Sequence, residues 1–286
     1  MASCHVRSVS LPSQASHPPA FSIIQQQLHD LKTAPQSAGS LRHNIINLKA
    51  LSQCIDDLLQ TQLSEQRSSP EPATRLAVES LLDASIKLLD MCSSVRDIMS
   101  RMKQSMRDLE SSLRRIRSDY SSQVDGYLVC RKGLGRLACK NIKIMEKSRW
   151  NYMSSEEEEK SSNMVGDLVS LLRGVEEICV AEFKAILWFV SAPRKPHYSV
   201  VSKLMHSKRE VVEKGEIRTA TVVEKKIDAE MFAIKSSKFV NAEQIGRLLR
   251  GLEGFGSSLE EAENGLEGLF RRLLRSRVLL LNILSN

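Results

Sequence analysis

The residues able to do nucleophilic, acid–base or metal chemistry stand far apart in this sequence. Its histidines, His5, His17, His29, His43, His197 and His206, fall in the N-terminal tail, in early helical segments or in predicted loops. No C-x-x-C or H-E-x-x-H occurs, and Cys130 and Cys139, the nearest pair of cysteines, are nine apart, a spacing that does not suit structural zinc. Gly133-Leu134-Gly135 lacks the third glycine, the preceding strand and the Lys-Ser/Thr ending of a phosphate-binding loop. No G-x-S-x-G elbow is present either, so nothing nominates a nucleophile and its base. These absences point to a non-enzymatic chain with no metal and no organic cofactor.

Charge is the more informative chemistry. Arg131, Lys132, Arg136, Lys140, Lys143, Lys147 and Arg149 share their stretch with a single acid, Glu146, and the acidic run Glu156 to Glu159 follows. Arg101, Lys103, Arg107, Arg114, Arg115 and Arg117 add cations to the segment before it. Such residues contact phosphates or form a solvated helix face. Tyr127 and Trp150 alone do not make a stacking platform, so nucleic acid is not the expected partner. A second segment, SVVSKLMHSKR at Ser199 to Arg209, places Lys203, Lys208 and Arg209 beside Val200, Val201, Leu204 and Met205. It reads as an anionic membrane contact or as a loop-to-helix transition packed on the protein.

The sharpest short motif is in the tail. Arg7, Ser8, Ser10 and Pro12 fit the R-S-x-S-x-P pattern that 14-3-3 proteins grip when the second serine is phosphorylated. A phosphate on Ser10 would add nearly two negative charges for an arginine cluster. Chance in a tail of this composition yields the same string.

Helices must position all of this. From Ala73 onward Leu81, Leu88, Val95, Met102, Leu109 and Ile116 fall seven apart, with Val78, Ser85, Cys92, Met99, Met106 and Leu113 interleaved. No Gly or Pro interrupts Ala73 to Asp125, which predicts one long helix through much of that stretch. Near the C-terminus Ile245, Leu252, Leu259, Leu266, Leu273 and Leu280, with Leu248, Phe255, Ala262, Leu269, Ser276 and Ile283, repeat the pattern. Gly246, Gly251, Gly254, Gly256, Gly265 and Gly268 in this segment mark either close helix approach or a kink. Heptads alone do not separate intramolecular from intermolecular pairing.

Shorter apolar stripes predict helices at Phe21 to Leu31, at Leu41 to Leu59, at about Ser161 to Val190 and at about Glu210 to Phe239. Ile178 to Ala192 is the most apolar stretch, but Glu182 and Lys184 interrupt it, and it falls short of the roughly 20 residues of a membrane span. It reads as a buried core helix.

The composition agrees: 42% hydrophobic but only 5% aromatic residues, with sparse Gly and Pro, favours helices over turn-rich sheets. The expected fold is all-α, an elongated bundle of long antiparallel helices with coiled-coil-like packing. A disordered tail over residues 1–20 precedes a single helical domain over 21–286, with irregular loops near 67–72, 151–160 and 191–207. Scattered cysteines fit a reducing compartment. The polar start, with Ala2, lacks the features of a secretory signal or a myristoylation site, so cytoplasmic residence is expected. A net charge of +7 permits peripheral contact with anionic lipid without imposing it.

Several motifs carry a family resemblance. HVRSVSLPS at His5 to Ser13, LKALSQCIDDLLQ at Leu48 to Gln60 and ESLLDASIKLLDMCSSVRDIMSRMKQSMRDLESSLRR at Glu79 to Arg115 are similar to the plant BYPASS-related family. VSKLMHSKR at Val201 to Arg209 and GLEGLFRRLLRSRVLLLNILSN at Gly265 to Asn286 continue the match in order. The resemblance implies a helical plant protein connected with root and shoot development, whose family domain has no assigned catalytic residues. A regulatory or scaffold protein acting through protein partners is the expectation; peripheral membrane association is the alternative.

Overall fold

In the computed structural model, the residues described are 19–33, 41–63, 72–115, 119–147, 164–191, 222–237 and 239–285. The helices among them are α1 (Pro19–Thr33), α2 (Leu41–Leu63), α3 (Pro72–Arg115), α4 (Tyr120–Lys147), α5 (Met164–Ser191), α6 (Val222–Ser236) and α7 (Ala242–Ser285). No strand occurs among these residues, as the periodicity predicts.

The two longest helices, α3 and α7, each have 44 residues and run roughly 65 Å. Both heptad series of α7 are buried throughout, and so is every described member of the two series in α3. They face each other within one chain, antiparallel, in a register marked by Arg107–Glu260, Lys103–Glu263 and Arg96–Glu267. Arg277 extends the pairing by donating to Ser85 Oγ at 2.7 Å. The start of α7 is held by a reciprocal cap, in which Asn241 Oδ1 accepts from the Gln244 N–H and Gln244 Oε1 accepts from the Asn241 N–H.

The predicted long helix through much of the stretch from Ala73 is α3. α3 stops at Arg115, and a new helix opens at Tyr120, where Asp119 Oδ1 accepts from the Ser122 N–H at 3.2 Å. A capping aspartate can start a helix where no Gly or Pro marks a break. The glycines of α4 do not end it: Gly126 and Gly133 lie within a continuous helix whose other face packs on α3, α5 and α6.

Not all neighbours are antiparallel. Lys49–Glu261 and Asp56–Arg272 set α2 parallel to α7, and Lys32–Glu177 together with Leu28 beneath Gly174 sets α1 parallel to α5. Sequential helices joined by a short turn must reverse direction, whereas helices remote in sequence are free to run either way. α6 is antiparallel to both α7 and α4, through Glu230–Arg247, Asp228–Arg131 and Asp125–Lys235. The result is two four-helix groups sharing α3 and α7: α4 and α6 complete one, α2 and α5 the other. Phe189 of α5 meets Phe255 of α7 at 5.7 Å between ring centroids, near the junction.

The glycines of α7 are resolved by this packing. The helix passes through them without interruption, and Gly251 is the site of close approach, since a Cβ there would sit 2.9 Å from Ile227 Cγ1 of α6. A Cβ at Gly254 would meet nothing within 4 Å. Gly254→Ala should therefore stabilise the fold by about 1 kcal/mol through helix propensity. Gly251→Ala should gain nothing or lose, because the β-branched Ile227 is stiff at the clashing carbon. Urea unfolding of the two variants checks this; equal gains would show that α6 and α7 do not approach so closely.

Candidate functional site

α5 touches α1, α2, α3 and α4, which explains why its sequence is apolar nearly all round. Ile178, Phe183, Ile186, Leu187, Phe189 and Val190 are buried. The stretch read as a core helix is one, and among the described residues no helix is long and apolar enough to cross a membrane. The acid that interrupts it is also inside. Glu182 is only 4% exposed, and Asn47 of α2 donates from Nδ2 to its Oε1 at 2.6 Å. Its other oxygen, Oε2, is buried without a hydrogen-bond partner.

Glu182 forms the inner wall of a groove of about 200 Å³ between α1 and α5, with Leu31, Lys32, Glu177, Ile178 and Ala181. At its rim Lys32 Nζ donates to Glu177 Oε2 at 2.5 Å, so the nearby ammonium is engaged with the outer carboxylate. Burial pushes the Glu182 carboxyl up to about 7, and the Asn47 hydrogen bond, which favours the charged form, only partly opposes it. The arrangement holds one proton close to neutrality; it does not pair a nucleophile with a base. The sequence marks Glu182 as an interruption of the apolar run but carries no signal for Asn47, which lies 135 positions away.

The buried cysteines are packing groups. Burial raises the Cys54 thiol to about 11 and the Cys92 thiol to about 12, and pushes Cys179 well above its ordinary value. Cys92 Sγ donates to the Leu266 carbonyl at 3.7 Å, between α3 and α7. Cys130, by contrast, is exposed on α4. Brief alkylation of the native chain followed by peptide mapping should label Cys130 and leave Cys54, Cys92 and Cys179 unmodified until denaturant is added. Native labelling of Cys179 would contradict its burial. Among the described residues no group of three or more His, Cys, Asp or Glu could hold a metal ion.

The basic residues divide into two sets. Lys103 and Arg107 of α3 pair with Glu263 and Glu260 of α7, and Arg131 of α4 pairs with Asp228 of α6 at 2.8 Å. Arg96 pairs with Glu267 while lying over the Phe270 ring, 5.3 Å from its centroid. These cations set helix register. The second set, Lys132, Arg136, Lys140, Lys143 and Lys147, is exposed on the outer face of α4. Gly133-Leu134-Gly135 lies inside the same helix, with Leu134 buried in the core, and forms no phosphate loop. The tail motif Arg7, Ser8, Ser10 and Pro12, and the segment holding Lys203, Lys208 and Arg209, lie outside the described residues.

Fold and site together define an all-helical bundle protein in which two long antiparallel helices form the spine. The family model described as Protein BPS1 matches residues 44–283, so it spans nearly all of that bundle. The chain belongs to this family, the BYPASS family. No curated protein and no solved structure matches it significantly.

Proposed function

We propose that this chain is a non-enzymatic regulatory scaffold of plant development, acting in the cytoplasm through protein partners. Membership of the BYPASS family supports the developmental role. The observation that carries the scaffold reading is the use of the apolar surface. Both heptad seams of α7 are spent on packing inside the chain, which leaves the outward faces of the helices as the platform for partners. The proposed switch is phosphorylation of Ser10, read with Arg7, Ser8 and Pro12 by a 14-3-3 protein.

Affinity purification of the tagged full-length chain from plant tissue tests the scaffold reading. Near-stoichiometric partners should return reproducibly, and their absence across tissues would sink it. For the switch, phosphorylated chain should be captured by a 14-3-3 protein and Ser10→Ala should abolish capture. Capture that survives the substitution would refute the assignment.

A further inference from the structure

We propose that the outer face of α4 is an electrostatic contact surface for an anionic lipid bilayer. Lys132, Arg136, Lys140, Lys143 and Lys147 are spaced by four, four, three and four residues, which places all five on one side of the helix. They extend over about 22 Å of helix axis. All five are exposed, and none pairs with a carboxylate among the described residues, whereas Arg131, on the inner side, is tied to Asp228. The only acid from Lys132 to Lys147 is Glu146. Val129, 72% exposed, and Ile144, 48% exposed, flank the cations.

The shape of this face selects its ligand. The opposite side of α4 is committed to the core through Val124, Tyr127, Leu134, Ala138, Ile142 and Met145, so the cations stand on the outer, convex side of the helix. A convex row of unpaired cations is complementary to an extended anionic plane. A single phosphate would instead need a concave nest of donors. Nucleic acid would be served by aromatic groups among the cations, and none occurs from Lys132 to Lys147. A helical acidic protein would need a continuous apolar seam, which two aliphatic residues 15 positions apart do not supply. At a charged bilayer each cation strengthens partitioning about fivefold, and Val129 and Ile144 can rest in the headgroup region.

The full-length chain should cosediment at low salt with phosphatidylcholine vesicles containing phosphatidylserine and not with pure phosphatidylcholine vesicles. High salt should release it. Combined Arg136→Glu, Lys140→Glu and Lys143→Glu should lower partitioning by at least about a hundredfold while leaving helical content and melting temperature unchanged. A parallel variant carrying Lys203→Glu, Lys208→Glu and Arg209→Glu should keep most of the binding. Equal binding to neutral vesicles, or loss confined to the parallel variant, would overturn the assignment to α4. Capture on polyglutamate beads without vesicle binding would overturn it in favour of an acidic protein. All these variants leave the Ser10 motif intact, so the outcome is independent of the phosphorylation switch.

Discussion

Phe183→Ala should destabilise the fold by about 3–5 kcal/mol, lowering the melting temperature by on the order of 10 °C. Phe183 is wholly buried on α5, the helix that touches α1, α2, α3 and α4, so its ring fills space that several helices border. Truncation removes the transfer free energy of the ring and leaves a cavity that neighbours tied into other contacts close only in part. Phe183→Leu retains most of the volume and should lose less than half as much. Urea unfolding followed by circular dichroism measures both. A loss below about 1 kcal/mol for the alanine variant would mean that α5 is not held at the centre of the bundle.

Glu182→Gln should remove a pH dependence of stability worth about 3 kcal/mol. The carboxyl is raised from 4.5 to about 7 in the folded chain, so between those values the native state holds a proton that the unfolded chain has released. Stability from this residue is fully present below pH 4.5 and is lost as pH rises through 7. Above that, the fold carries a buried carboxylate with one oxygen lacking a donor. The surroundings do not rescue the charge: Lys32 is paired with Glu177, Glu176 and Cys179 share α5 with it, and Asn47 is the donor from α2. Glutamine mimics the protonated acid and has no titration. The variant should therefore be more stable than the parent at alkaline pH and nearly equal to it in acid. Superimposable stability profiles from about pH 5 to about pH 9 would show that Glu182 does not change its protonation across that range.

Both effects depend on α5, and they show where sequence reading succeeds and where it stops. The apolar run from Ile178 is a core helix for the reason its composition suggests, since a helix apolar on nearly every side must be covered on every side. Its acid was visible too. Its desolvation was not, because that depends on α1 and α2 closing over it, and the partner Asn47 is unremarkable in its own segment. On α4 the cations were legible as a cluster, but their spacing acquires meaning only from the helix. Once α4 forms, Arg131 turns inward to Asp228 while Lys132, Arg136, Lys140, Lys143 and Lys147 remain outside.

By itself, the sequence determined the helical class, the two long seams and the residues that line them. Heptad spacing is a local property that survives whatever partner is chosen. Only the tertiary structure decided that α3 and α7 pair with each other, that α2 runs parallel to α7, and that the long apolar stretch after Pro72 is cut at Asp119. An apolar stripe states that a face must be buried without naming what buries it. Pairing and direction are set by side-chain complementarity and ion-pair register between segments more than a hundred residues apart, such as Lys103 with Glu263. Those terms exist only once the helices have met.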